Sequence, residues 1–266
     1  MAAEDDSFRF SETAGGPVKL WCPLDSNGIP ERSYYVFGAD VSSGLGGSHT
    51  SNSVLSGINA KTGEQVLEYV INVEHPSLFT DKCLAIVKWF FNAYFAWEHQ
   101  GPGYAMTARM VESGYGNVFK RRTYERRGRK STEALGWWMT PSSKEKMFMD
   151  ISPAVQQGEI VVRSKELVRE FGQYVRQDGK IEHVNRSRAT DDAKGAAHGD
   201  RVIAFLVAYQ AILDRPLAKG PQGERWGDDG MPPQGTIARR LREYAESRNK
   251  KDDPWDRRTS RDLVLR

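Results

Sequence analysis

The chain has 266 residues, 39% hydrophobic and 27% charged, with a formal net charge of +3. This is enough for one large soluble domain, or one domain with an appendage, around a substantial core. No apolar run is long enough to span a membrane, no basic-then-apolar leader opens the chain, and Cys22 and Cys83 lack metal-site spacing, so membrane insertion, secretion and a disulfide framework are not indicated.

Residues 1–16 are polar, acidic and glycine-bearing and read as loose. Val18 to Cys22 reads as a short strand, followed by a turn around Asp25 to Gly28. Tyr34 to Asp40 is a strong strand signal that ends in an acid. A Gly- and Ser-rich loop then leads to a strand at Ser53 to Asn59, a turn at Lys61 to Glu64 and a strand at Gln65 to Val73. These short connections predict an antiparallel meander. Phe79 to Phe91 has helical spacing, and Tyr94 to Glu98 is a short apolar strand, again with an acid at its end. Tyr104 to Glu112 reads as a helix after the Gly101-Pro102-Gly103 break, and Asn117 to Arg126 as a strand or hairpin arm. Ser142 to Gln157 reads as a helix that Pro153 kinks or splits. Then come a strand at Glu159 to Arg163, a helix from Ser164 to Arg176 with Ser164 as N-cap, a short strand at Gly179 to Val184, and a helix from His198 to Leu213. Pro216 to Gln234 has linker composition, Thr236 to Arg248 suits a charged helix, and Asn249 to Arg266 is highly charged. The expected fold class is α/β, a mixed sheet with an antiparallel meander plus parallel strands, flanked by helices. The expected division is an extension at 1–33, the main domain at 34–214, and a linker with a charged tail at 215–266.

Asp40 and Glu98 each follow a run of large apolar residues, and Asp200 opens a late helix. Taken singly, an acid at a strand end is more often a turn residue or cap, and one at a helix start more often serves the helix dipole. Their joint placement points further. Side-by-side strands bring Asp40 and Glu98 together, and a helix start beside them adds Asp200. Clustered carboxylates are the ligands that hard divalent cations take, and charge held so close to a core needs compensation of this kind.

The sequence Tyr-Val-Phe-Gly-Ala-Asp-Val-Ser-Ser-Gly-Leu-Gly at 35–46 resembles the first nuclease motif of viral large terminase subunits. Phe-Ala-Trp-Glu at 95–98 is similar to the second, and Gly-Ala-Ala-His-Gly-Asp-Arg-Val-Ile-Ala at 195–204 to the third. Between them, Gly-Trp-Trp-Met-Thr followed by Ser-Ser-Lys within 136–144 is similar to the family's element leading into a helix. The ordered set spans roughly 34–213. The resemblance implies a ribonuclease-H-like fold and cutting of concatemeric double-stranded DNA during genome packaging in the cytoplasm of a bacterial host. It implies Asp40, Glu98 and Asp200 as catalytic residues and as ligands of two Mg²⁺ or Mn²⁺ ions, with Asp40 bridging. The implied partners are DNA, a motor ATPase domain, the portal and the small terminase subunit. This chain departs from the pattern at Gly199, where many members carry an acid; Asp191 and Asp192 lie just upstream, with Asp192 a candidate fourth ligand or a loop acid. No Gly-x-x-x-x-Gly-Lys-[Ser/Thr] phosphate loop occurs, so the chain is expected to be a nuclease domain apart from its motor.

Lys120, Arg121, Arg122, Arg126, Arg127, Arg129 and Lys130 form the densest basic run, with little acid interleaved. A solvated hairpin is one reading; a DNA-backbone contact that gives affinity without base preference is the other. Gly44, Gly46 and Gly47 make either a plain hairpin turn or room for close approach of DNA. His49 and His198 read as loop or capping residues or as neighbours of the metals. Trp89 and Trp97 are expected in the core, and one of Trp137 and Trp138 at the base of the basic hairpin. Three rivals remain open: a Holliday-junction resolvase on the same fold, an actin-like or sugar-kinase-like ATPase, and a non-catalytic DNA-binding or docking module. The ATPase lacks its second glycine-rich phosphate turn.

Overall fold

A seven-stranded sheet organises the chain in the computed structural model, which describes residues 10–47, 50–124, 131–177, 180–184, 199–214 and 261–265. Its strands are β1 (Phe10–Glu12), β2 (Val18–Leu20), β3 (Tyr35–Asp40), β4 (Ser53–Asn59), β5 (Gln65–Ile71), β6 (Tyr94–Trp97) and β11 (Arg261–Leu265). Their order is β1-β11-β2-β5-β4-β3-β6. All neighbours are antiparallel except β3 and β6, which run parallel. The meander β3-β4-β5 follows from the short turns between its strands. Helix α1 (Pro76–Trp89) then carries the chain over to β6, on the far side of β3.

Helix α1 starts with a proline in its first turn and His75 accepting from the Ser77 amide at 3.3 Å. Helix α2 (Gly103–Ser113) stops at Gly114, which takes the left-handed conformation with φ 66°. These two helices cover one face, where Phe79, Val87 and Met106 pack with Phe37, Leu55, Leu67, Phe95 and Trp97. Helix α3 (Pro141–Gln156) opens with a reciprocal capping box between Thr140 and Ser143 and runs through Pro153 without splitting. Together with α4 (Lys165–Phe171) and α5 (Asp200–Asp214) it covers the other face, where Phe205, Ala208, Met147 and Ile151 pack with Val36, Ile58 and Ala96. Each fully buried large side chain contributes roughly 1.5–3 kcal/mol. Burial on both faces is why β3 reads as an almost unbroken apolar run.

Gly38 allows α5 to lie directly on β3. A Cβ there would stand 2.2 Å from the Ala204 carbonyl oxygen and 2.3 Å from the Ala208 amide nitrogen. Any side chain at this position would lift the helix away from the strand.

Two small hairpins complete the fold. β7 (Lys120–Tyr124) pairs with β8 (Ser131–Leu135), and β9 (Tyr174–Gln177) with β10 (Lys180–His183). No helix among the described residues is long and apolar enough to cross a membrane.

Several expectations from sequence are corrected. Glu159 to Arg163 forms no strand; only an isolated bridge joins Val161 to Glu64. The helix capped by Ser164 ends at Phe171 rather than Arg176, because the chain turns at Gly172 into β9. The segments set outside the main domain supply part of its sheet: β1 and β2 come from 1–33, and β11 from 215–266 inserts between them. Short strands of this kind carry little periodicity of their own and are fixed by pairing. The linker at 216–234 and the helix at 236–248 lie outside the described residues.

Candidate functional site

The pleat of β3 and β6 decides where their terminal acids point. Phe37, Ala39, Phe95 and Trp97 belong to the α1 side, so Gly38, Asp40, Ala96 and Glu98 belong to the α5 side. The parallel register pairs Ala39 with Trp97, and the Glu98 amide donates to the Ala39 carbonyl at 2.9 Å. Asp40 and Glu98 are therefore neighbours at the same end of the sheet. Helix α5 runs the opposite way: the Tyr94 hydroxyl, at the start of β6, donates to Asp214 at its C-terminus at 3.5 Å. Its first residue, Asp200, accordingly lies at the acid end and is 8% exposed.

The three carboxylates interact strongly. Asp40 keeps partial exposure at the strand end, yet burial, then the charges of Glu98 and Asp200, push its carboxyl well above the ordinary range. A side-chain hydrogen bond to Glu98 raises it further. Glu98 is also raised, chiefly by burial and further by Asp200, although the Asp40 hydrogen bond and Lys144 pull it down. Asp200 Oδ2 accepts from the Asn52 backbone amide at 2.6 Å and from its side-chain amide at 3.2 Å.

Among the described residues, no set of three His, Cys, Asp or Glu side chains stands in ready ligand geometry. The donor chemistry still suits a hard divalent cation. Three carboxylates converge: burial raises Asp40 and Glu98, the charges of Glu98 and Asp200 raise Asp40 further, and Asp200 adds to the rise of Glu98.

Several neighbours of this centre carry no sequence signal. Asn52 lies in a loop. Lys144, in the first turn of α3, acts on Glu98, and its Nζ stands 4.7 Å from the Tyr174 ring. The Tyr174 hydroxyl donates to the Gly199 carbonyl at 3.4 Å, next to Asp200. Arg201 donates from Nη1 to Glu170 at 2.5 Å and from Nε to Glu68 at 3.2 Å, and its amide donates to Glu170 at 3.1 Å. This network anchors the start of α5 from behind. The glycine loop after Asp40 also has a structural explanation. Gly44 has φ +70° and packs on the chain before α1, where a Cβ would stand 1.8 Å from the Glu74 carbonyl oxygen.

Of the basic run, Lys120 pairs with Glu133 at 3.2 Å and is exposed. Arg121 is pinned instead, donating to the Leu135 and Gly136 carbonyls at 3.1 and 2.9 Å and lying 5.3 Å from the Trp138 ring centroid. Arg122 lies within β7. Arg126, Arg127, Arg129 and Lys130 lie outside the described residues, as do His49, Asp191, Asp192 and His198. Trp97 is fully buried, Trp89 packs at the core's edge, and Trp137 lies tilted against Phe119, centroids 5.5 Å apart, at the base of the hairpin.

A mixed antiparallel and parallel sheet flanked by helices is an α/β architecture of the ribonuclease-H-like fold class, here with acids at the ends of adjacent parallel strands and at a facing helix start. The comparison with solved structures agrees. The chain is similar to the large terminase nuclease of the thermophilic phage G20c with bound magnesium: TM-score 0.53, 18% identity, 75% of this chain and 89% of that one. The same nuclease with bound cobalt gives TM-score 0.52 at 18% identity over 75% and 89% of the two chains. The nuclease without a named metal gives 0.50 at 16% over 75% and 90%. The likeness establishes the fold. No protein-family model matches the chain, and no curated protein matches it in sequence.

Proposed function

We propose that the chain is a divalent-metal-dependent DNA endonuclease of the large terminase type, with Asp40, Glu98 and Asp200 as its metal ligands. The observation that carries this is the convergence of three carboxylates, two of them hydrogen-bonded to each other, at one end of a sheet whose fold is that of a phage large terminase nuclease. The G20c nuclease has been solved with magnesium and with cobalt, which supports Mg²⁺ or Mn²⁺ here. Bound divalent ions would supply a water of lowered pKa and positive charge for the phosphate oxygens.

The protein's own part is to hold three hard donors in a partly desolvated corner and to fix their directions. The Val41 amide donates to Asp40, Asn52 sets Asp200, and Lys144 biases Glu98 toward its charged form. These raised carboxyls must be deprotonated to serve as ligands, so metal binding competes with protons. The basic hairpin around Lys120 to Lys130 would hold the DNA backbone without reading bases. This suits concatemeric double-stranded DNA as substrate and a motor ATPase, portal and small subunit as partners, in the cytoplasm of a host bacterium. Asp192 is a further candidate ligand.

Plasmid cleavage with Mn²⁺, Mg²⁺ or EDTA tests the reading. Wild type should nick and linearise supercoiled DNA only with metal, and Asp40→Asn should lose at least about 100-fold of that activity. Cleavage that survives EDTA, or that Asp40→Asn leaves intact, would overturn the assignment. Competition between branched and linear DNA separates a terminase-type cutter from a junction resolvase.

A further inference from the structure

Immediately beside Glu98 the chain builds an aromatic shelf that the carboxylate chemistry does not use. His99 follows Glu98 directly, and its ring lies 4.6 Å from Tyr104 and 6.0 Å from Trp138, centroid to centroid. Tyr104 is 53% exposed and Trp138 43%, so two large aromatic surfaces face solvent around His99, one residue beyond Glu98 and on the α2 side of the strand end. Arg121 lies under the edge of this group, 5.3 Å from the Trp138 ring. Its guanidinium donates to two backbone carbonyls, and among the described residues no carboxylate pairs with it.

The shelf is rigid. The Trp137 amide donates to the Trp97 carbonyl at 2.6 Å, the His99 amide to the Trp137 carbonyl at 2.8 Å, and the Met139 amide to Gln100 Oε1 at 2.6 Å. Residues 137–139 are thereby laid alongside 97–100. On the other side, His99 Nδ1 lies 2.9 Å from Thr107 Oγ1, which also accepts from Trp97 Nε1 at 2.9 Å. The backbone carrying Trp138 and the His99 ring between the two exposed rings are thus held in place before any ligand arrives. Exposed aromatic surface held this firmly, with a fixed cation beside it, is the arrangement on which nucleobases stack while their phosphates are neutralised.

We propose that Trp138 and Tyr104, with Arg121, form a stacking site for an unpaired nucleobase of the DNA strand delivered to Asp40, Glu98 and Asp200. Within an intact duplex both faces of a base are covered by its neighbours, so such a shelf discriminates in favour of bases that have left the stack. Local melting at the cut would free such a base, and the shelf would then hold the strand still against the acid centre. The proposal rests on the nuclease reading for its biological sense, but its binding test needs no cleavage.

The test is a fluorescence titration of the full 266-residue chain in EDTA. The probes are a single-stranded oligonucleotide and a blunt, fully paired duplex, each carrying 2-aminopurine, with wild type, Trp138→Ala, Trp138→Phe, Tyr104→Ala and Asp40→Asn. Trp138→Ala and Tyr104→Ala should each weaken single-strand binding about 10-fold, and duplex binding by less than about 2-fold. Trp138→Phe, which keeps a stacking face, should retain most of the affinity and the 2-aminopurine quench. Equal losses on both probes in Trp138→Ala and Tyr104→Ala would overturn the proposal, as would no loss on either. Circular dichroism and melting curves separate either result from misfolding, and Tyr104→Ala leaves the hairpin contact of Arg121 with Trp138 in place. A chain that passes this test but never cuts with metal keeps the shelf and loses the nuclease. A chain that cuts with metal but shows no aromatic dependence keeps the nuclease and loses the shelf.

Discussion

Two groups of buried acids lie against the first turn of α5, and they are built in opposite ways. Behind the helix start, Glu68 and Glu170 enclose the Arg201 guanidinium, and the Ser164 hydroxyl donates to Glu68 at 3.1 Å. In front, Asp40 and Glu98 hydrogen-bond each other, Lys144 acts on Glu98, and Asp200 accepts from Asn52. Burial raises the carboxyls in both groups. In the rear group an arginine opposes that rise, and burial outweighs it. In the front group the neighbouring acids add to it for Asp40. The rear group brackets one guanidinium that donates to both of its carboxylates, and serves the fold. The front group crowds three acids together, which costs stability and is what a cation-binding site requires.

The largest test of this contrast is Arg201→Ala. It would leave Glu68 and Glu170 facing each other without a counter-charge, and should destabilise the protein by about 3–5 kcal/mol. Urea unfolding measures this, and a loss near zero would show that the rear group carries no structural weight. Asp40→Asn should act in the opposite direction. Removing one of three crowded acids should stabilise the metal-free protein by about 1 kcal/mol, or roughly 2–4 °C in melting temperature. A clear drop in EDTA would mean that Asp40 is a structural residue.

A third test uses pH. The folded-state pKa values of Asp40 and Glu98 lie above their unfolded values, so the folded protein holds protons that the unfolded chain gives up. Their contribution is fully present below the unfolded carboxylate range and is lost as pH rises through the raised values. A divalent ion competes for the same oxygens, so the Mn²⁺-induced rise in melting temperature should be small at about pH 5 and larger at about pH 8. A shift independent of pH would place the ion elsewhere. The smallest effect on the fold is expected from reversing charge at Arg126 and Arg127. Melting should be unchanged, while DNA affinity falls and the salt dependence flattens by about one log-log unit per lost phosphate contact. Unchanged affinity in an anisotropy titration would remove the basic run from the DNA path.

The front acids were legible in the sequence because each ends an apolar strand or opens an apolar helix, and the meander plus the resemblance placed them together. The rear group was not, because nothing local marks Glu68, Glu170 and Arg201 as partners; they meet only when β5, α4 and α5 pack. Lys144 and Asn52 were hidden for the same reason, and Trp138 showed only as a neighbour of the basic run. The meander strand Ser53 to Asn59 was read to the residue, since turns bound it on both sides. By contrast, β11 lay in charged tail composition, and only its pairing with β1 and β2 reveals it.

Calorimetric titration of Mn²⁺ into the chain, with wild type and Asp40→Asn at about pH 8 and low salt, addresses the central claim most directly. The front acids should give saturable binding accompanied by proton release, lost or at least about 10-fold weaker in the variant. Equal binding by the two proteins, or no binding to wild type, would contradict the claim that these three carboxylates form a metal centre.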